Sequence, residues 1–266
     1  MQKAEYLRIS IVTPVFNRVG MIEQTILSVL GQHYPNLEYI IIDGGSTDGT
    51  VDIIRRYENQ LAYWVSEPDE GMYNAIMKGF SHATGDILAW INSDDMYHSN
   101  ALNIVGQIFS QLRDVEWITG TPTLYNAEGL CVKVFPTPHW SWQRFQSGDF
   151  RWLQQESTFW RRSLWDKVGG LNLQYKLAAD FELWCQMFQY ATLYSVNTVL
   201  GGFREHGNQL SLTQADKYSA EIKTITAQYG MRYNTNRWVS WCRHLAYRHL
   251  SHTIYYDFSL GIWKIN

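Results

Sequence analysis

Three observations predict an α/β fold, a mostly parallel sheet flanked by helices. Over the first 120 of the 266 residues, β-branched runs alternate with runs whose apolar residues recur at helical spacing. The strand-like runs are apolar at successive positions, as strands covered on both faces must be. Each of them ends abruptly in polar residues, so strand and helix succeed one another in the order of a parallel sheet.

The elements follow in order. Residues 7–16 (LRISIVTPVF) read as a strand and 21–30 (MIEQTILSVL) as a helix. A second strand over 37–43 closes in the turn-rich GGSTDGT, where Asp48 can cap a helix over 50–57. A third strand covers 61–66, a third helix 72–83, a fourth strand 86–92 and a fourth helix 101–112. Beyond 120 the periodicity weakens into a hairpin and an aromatic loop, His139-Trp140-Ser141-Trp142. Order returns with a strand over 157–161, a Gly169-Gly170 turn and a helix over 180–190, and the tail from 216 reads as helical. This divides the chain into a domain over 1–215, with halves 1–120 and 121–215, and a helical extension over 216–266.

Composition narrows the function. A hydrophobic share of 45% with 18% charged residues suits a folded globular chain. The net charge of −3 gives no large basic field, which argues against a nucleic-acid partner. The 12 Trp and 17 Tyr suit sugar stacking and interfacial surfaces as well as cores. Cys131, Cys185 and Cys242 are far apart and form no CxxC pair, so a reducing cytosol is the simplest setting. The opening MQKAEYLRISIVTP lacks the apolar core of a signal peptide, and no 18-residue apolar run occurs. The expectation is a cytoplasmic chain, either free or attached to the inner face of a membrane.

In parallel sheets ligands bind beyond the carboxyl ends of the strands. Those ends carry Thr13-Pro14-Val15-Phe16-Asn17, Asp43-Gly44-Gly45-Ser46, Glu67-Pro68-Asp69-Glu70-Gly71 and Asn92-Ser93-Asp94-Asp95. Any one cluster could be a turn or a helix cap, and Asp94 or Asp95 could cap the helix that follows. Four in register read as the rim of a site.

TPVFN, IIIDGGSTDGT, SEPDEGMYNAIMKG, NSDD, QESTFWRRSLWDKVGGLN, ADFELW and REHGNQLS, in that order over about residues 8–212, resemble glycosyltransferase family 2. The resemblance implies a GT-A fold, Rossmann-like, and an inverting transfer from a nucleotide-sugar donor, a UDP-sugar being favoured. It also implies a divalent metal, Mn²⁺ or Mg²⁺, and a glycan or lipid-linked saccharide acceptor, as in surface-polysaccharide synthesis.

By the same resemblance Asp95 is the metal ligand, assisted by His206, and Asp94 holds the ribose or a metal-bound water. Asp43 contacts the nucleoside, although Gly44 stands where the family has a second acid. Thr13 and Pro14 form the base-binding edge. Glu67, with Asp69 and Gly71, lies beside the nucleotide. Lys78 either reaches a phosphate or is an exposed helix residue. Asp180 is the base that takes the acceptor proton, unless it only caps its helix. Glu156 is the second candidate base or an acceptor ligand, and Gly170 allows close approach to the donor sugar. Met77 replaces a family Asn.

In the tail, Trp238, Trp241, Leu245 and Ile254 fall at helical spacing among basic residues. A peripheral membrane contact through 217–266 and plain packing on the domain both fit. Two rivals remain. A nucleotidyltransferase would need a Gly-rich basic loop after the first strand, and TPVFNRVG is a poor match. A catalytically silent nucleotide-sugar-binding assembly subunit would bind nucleotide without turnover.

Overall fold

Period-two alternation along the strands places successive side chains on opposite faces of one sheet, and helices bury both faces. The computed structural model describes residues 6–148, 153–207, 209, 213–231 and 248–266. The first half carries strands β1 (Ile9–Val15), β2 (Leu37–Asp43), β3 (Tyr63–Ser66) and β4 (Ile87–Trp90). Between and after them run helices α1 (Ile22–Leu30), α2 (Thr50–Arg56), α3 (Met72–His82) and α4 (Ala101–Gln111). β5 (Met96–Tyr97) follows Asp95 directly.

The second half supplies β6 (Trp117–Thr119), the hairpin of β7 (Thr123–Tyr125) and β8 (Cys131–Val134), and α5 (Trp142–Gln146). Then come β9 (Thr158–Arg161), α6 (Arg162–Val168), α7 (Ala179–Tyr190), β10 (Leu193–Val196) and β11 (Gly201–Arg204). Helix α8 (Ala215–Gln228) and strands β12 (His252–Asp257) and β13 (Ile262–Ile265) follow toward the end of the chain.

Nine strands form the main sheet, in the order β13-β12-β10-β6-β9-β4-β1-β2-β3. β4, β1, β2 and β3 run parallel, β9 lies antiparallel between β4 and β6, and β6, β10 and β12 are parallel again. On one face Val12, Ile40, Ile42, Leu88 and Trp90 pack under α3, α7 and α8. On the other, Ile9, Ile11, Tyr39, Ile41, Ile87 and Ala89 pack under α1, α2 and α4. α3 lies so tightly on β1 that a Cβ at Gly79 would stand 2.4 Å from Val12 Cγ1.

Several tryptophans belong to this core. Trp90, Trp117, Trp140 and Trp160 are fully buried, and Trp90 stacks on Trp184 with ring centroids 6.0 Å apart. The aromatic richness of the sequence is therefore largely packing.

A second sheet, in the order β5-β11-β7-β8, stands at the end of β4. It ties residues 96–97 to residues 201–202 across the chain and so carries the segment after β11 to the strand ends.

Among the described residues of the expected helical extension, α8 is helical and the end of the chain is not. The last residues form the antiparallel hairpin β12–β13, and β12 extends the main sheet beside β10. The turn is built by Asp257, whose carboxylate accepts the Ser259 and Leu260 N–H groups, with Gly261 at φ +67°. Ile254 and Trp263 are buried against the second core rather than aligned on a helix face. Trp238, Trp241 and Leu245 lie outside the described residues. No helix among the described residues is long and apolar enough to cross a membrane.

Candidate active site

At the first two strand ends the expected contact residues face inward. Thr13 and Pro14 are buried, and the Thr13 hydroxyl bonds Tyr39 Oη at 3.0 Å. Phe16, next along, is exposed at the mouth. Asp43 does not reach the rim as expected, being 0% exposed. Its carboxylate accepts the N–H groups of Gly45 and Ser46, at 3.1 and 2.9 Å, and the hydroxyls of Ser46 and Ser66. Those bonds satisfy the loop after β2, so Asp43 shapes the rim rather than facing a nucleoside.

Over that loop lies a different carboxylate. A Cβ at Gly44 would stand 2.8 Å from Asp69 Oδ2. The exposed Asp69 is held by the Gly71 N–H on its Oδ1, so it covers the place where a residue-44 side chain would be. Lys78 and Glu67, both expected at the nucleotide, form an ion pair with each other at the rim. Gly170, at φ +83°, turns against Met77 and Trp165, and the Leu171 N–H meets Met77 Sδ at 3.4 Å. The turn expected near the donor sugar is thus covered by a side chain, and Met77 acquires a packing role.

The adjacent acids after β4 separate sharply. Asp95 is 1% exposed, with its Oδ1 accepting the Arg204 N–H at 2.9 Å and its Oδ2 accepting from Asn92 Nδ2 at 3.2 Å. Its carbonyl accepts the Thr25 hydroxyl. Asp95 therefore joins the end of β4 to α1 and to β11. Asp94 turns the other way: its Oδ2 accepts from His206 Nε2 at 3.0 Å and lies 3.6 Å from Arg18 Nε. The expected meeting of His206 with Asp95 is replaced by a meeting with Asp94, because strand pairing at β5–β11 turns Asp95 inward. Neither acid caps α4, whose N-cap residue is Asn100 at φ +68°.

Asp180, in the first turn of α7, does not cap that helix either, the N-cap residue being Ala178 with no side-chain bond. The Tyr73 hydroxyl lies 2.9 Å from Asp180 Oδ1 and 3.0 Å from the Leu177 carbonyl, which ties α3 to the start of α7. Glu182, two residues on, points away and accepts the Tyr229 hydroxyl at 2.6 Å.

Glu156 lies between the two halves of the rim. It is 4% exposed, and its Oε1 has no hydrogen-bond partner among the described residues. Burial, with the charges of Asp180 and Asp94, pushes its carboxyl up to about 8. Burial and the charges of Glu156 and Asp94 also raise Asp95 well above the carboxylate range. Burial raises Asp180, against the opposing hydrogen bond from Tyr73. The rim thus gathers Asp94, Asp95, Glu156 and Asp180 in one electrostatic neighbourhood, with Arg18, Arg204 and His206 as cationic or proton-bearing partners. Tyr73, Asn92 and Arg204 stand within motifs that the sequence singled out, but no role was assigned to them there.

A parallel sheet with an acidic site at its carboxyl ends, completed by a segment returning from residue 200 onward, defines a GT-A glycosyltransferase architecture. Comparison with known proteins agrees. Residues 10–119 match the family description "Glycosyl transferase family 2". An uncharacterised glycosyltransferase of Mycobacterium tuberculosis is 34% identical over 180 residues, covering 65% of this chain and 66% of that relative. The chain thus spans slightly under two thirds of that relative's length. Among solved structures, Staphylococcus aureus TarS 1–349 in complex with UDP-GlcNAc aligns with TM-score 0.67 at 15% identity, over 92% of this chain and 73% of that one. The mannosyltransferase PcManGT of Pyrobaculum calidifontis, in complex with GDP-Man and Mn²⁺, aligns with TM-score 0.62 at 18% identity, over 93% and 71%. The chain thus carries a glycosyltransferase family 2 domain match over residues 10–119, on a GT-A fold.

Proposed function

We propose that this chain transfers a sugar, with inversion, from a nucleoside-diphosphate sugar to a hydroxyl of a glycan or lipid-linked acceptor. The observation that carries the reading is the convergence of Asp94 and His206, 112 residues apart, at 3.0 Å in the electrostatic neighbourhood of Asp180.

The residues present fit a divalent cation, since a carboxylate and an imidazole from different elements meet at one point. No group of three or more His, Cys, Asp or Glu in metal-holding arrangement occurs among the described residues. Asp94 and His206 would therefore hold the cation in part, with phosphate oxygens and water completing its shell. When bound, it would supply Lewis-acid stabilisation of the departing diphosphate. Asp95 is a support: its two oxygens, bonded to Arg204 and Asn92, fix the loop that presents Asp94.

Asp180 is the general base. Its burial raises its proton affinity toward the range a base needs at neutral pH, and the Tyr73 hydroxyl orients one of its oxygens. The acceptor oxygen attacks the anomeric carbon as its proton passes to Asp180. The bond from that carbon to the diphosphate oxygen breaks on the opposite side, and the nucleoside diphosphate leaves with the electron pair. Glu156, protonated near neutrality, offers a hydrogen-bond donor in the pocket and adds no negative charge to it.

The relatives of known structure were captured with UDP-GlcNAc and with GDP-Man, so the test is a donor panel. Slow hydrolysis of UDP- and GDP-sugars, with Mn²⁺ and without acceptor, should be seen for one nucleotide class. It should vanish in Asp180→Asn while nucleotide binding persists. Binding without hydrolysis of any donor, and without transfer to any glycan acceptor, would favour a silent binding subunit instead.

A further inference from the structure

Arg204 closes β11 with its backbone pinned to the site. Its N–H donates to Asp95 Oδ1 and its carbonyl accepts from Gln209 Nε2 at 2.8 Å. Its side chain has no such anchor. The residue is 1% exposed, yet Nε, Nη1 and Nη2 all lack a hydrogen-bond partner among the described residues. A guanidinium carries five N–H donors, and burying it unpaired is among the costliest arrangements a fold can hold. The neighbouring acids do not relieve it. Asp95 accepts from the Arg204 main chain and from Asn92, and Asp94 Oδ2 accepts from His206. Burial disfavours the charged guanidinium and the charges of Asp95 and Asp94 oppose that; an arginine side chain holds its proton in proteins regardless.

A buried, charged, planar fork with all its donors unspent calls for an anion with several oxygens. His206 lies two residues further on, past the end of β11, and bonds Asp94, one of the charges that act on the Arg204 guanidinium. We propose that Arg204 is a phosphate-binding residue of the donor site, its guanidinium taking phosphoryl oxygens of the nucleoside diphosphate next to Asp94 and His206. The assignment rests on the glycosyl-transfer reading and adds to it a second cationic contact, independent of any metal.

The test compares UDP with uridine, and GDP with guanosine, by isothermal titration in Mn²⁺. The proteins are the wild type, Arg204→Met and Arg204→Lys, each with its melting temperature measured free of ligand. Loss of charge-assisted bonds to a phosphate should cut the preference for diphosphate over nucleoside by roughly ten- to a hundredfold in Arg204→Met. Nucleoside affinity should stay unchanged, and Arg204→Lys should fall between, since an ammonium keeps the charge and loses the fork. Ligand-free melting should hold or rise, because an unpartnered buried charge is removed. Should Arg204→Met not fold, the Arg204→Lys ratio decides.

An unchanged ratio in the folded variants overturns the assignment, and with lowered melting it makes Arg204 a packing residue. An unchanged ratio with lost transfer to a phosphate-bearing acceptor alone would move the anion to the acceptor side, which also overturns it. A wild type that binds neither diphosphate overturns the donor reading itself.

Discussion

Replacing Glu156 by Gln should stabilise the ligand-free protein at alkaline pH and do little at acid pH. The Glu156 carboxyl keeps its proton to about pH 8 in the folded chain, against an ordinary value of 4.5. Below about pH 4.5 both folded and unfolded chains hold that proton, and the residue costs nothing through ionisation. Between there and about pH 8 only the unfolded chain releases it, so the folded state binds more protons and stability falls as pH rises. Each pH unit in that window costs about 1.4 kcal/mol, and the loss is complete above pH 8. For a buried carboxyl coupled to Asp95 the total is on the order of 3–5 kcal/mol.

Glutamine has nearly the same shape and cannot ionise, so it removes this cost. It also relieves Asp95, whose own shift is caused in part by the Glu156 charge. At about 2 °C per kcal/mol for a chain of this size, Glu156→Gln should melt about 5–10 °C above wild type at pH 8. The difference should shrink toward zero near pH 5. The assay is thermal unfolding followed by near-UV circular dichroism at half-unit pH steps, in chelator and without nucleotide. A pH-independent difference, or a variant that melts lower at pH 8, would refute the view that burial among acids keeps Glu156 protonated.

Two further outcomes follow from the site and from the sheet edge. Asp180→Asn should lower kcat by about 10²–10⁴ while nucleoside-diphosphate affinity stays within about twofold, as steady-state rates and titration would show. Parallel losses of rate and affinity would count against the base. Trp263→Ala should cost about 3–5 kcal/mol by urea unfolding, since Trp263 is 7% exposed and its indole N–H reaches Gln107 of α4 at 3.2 Å. Nucleotide affinity should not change in that variant, because the hairpin lies at the far edge of the main sheet. A loss below about 1 kcal/mol would mean that β13 is an appendage rather than part of the core.

The first half was legible because each strand is buried on both faces and each helix has one apolar stripe. The chain therefore had to alternate between the two periods, and the expected elements over 37–43 and 101–112 fall within a residue of those observed. The second half was less so, because β5 and β11 draw stability from each other across more than a hundred residues and are too short to show a period. In the tail, Ile254 fell at helical spacing from distant tryptophans, while the true signals were local. Asp257 with Ser259 and Gly261 make a turn between two runs that alternate.

The site shows the same division. The strand-end rule located the rim correctly, yet adjacency could not tell which of Asp94 and Asp95 faces out. That choice is made by the Arg204 N–H, 109 residues away. Arg204 itself looked like an ordinary basic residue, since only its burial without partners marks it.

Mn²⁺-dependent binding of UDP and GDP to the wild type, Asp94→Asn and Asp95→Asn tests the central claim most directly, with Mn²⁺ occupancy read by electron paramagnetic resonance. The account predicts that Asp94→Asn loses Mn²⁺-dependent binding by a hundredfold or more, about 2.7 kcal/mol or greater. Asp95→Asn should melt lower yet still bind Mn²⁺ and nucleotide once folded. Loss of Mn²⁺-dependent binding in a folded Asp95→Asn, with Asp94→Asn unaffected, would contradict it and return the metal to the inward-facing acid.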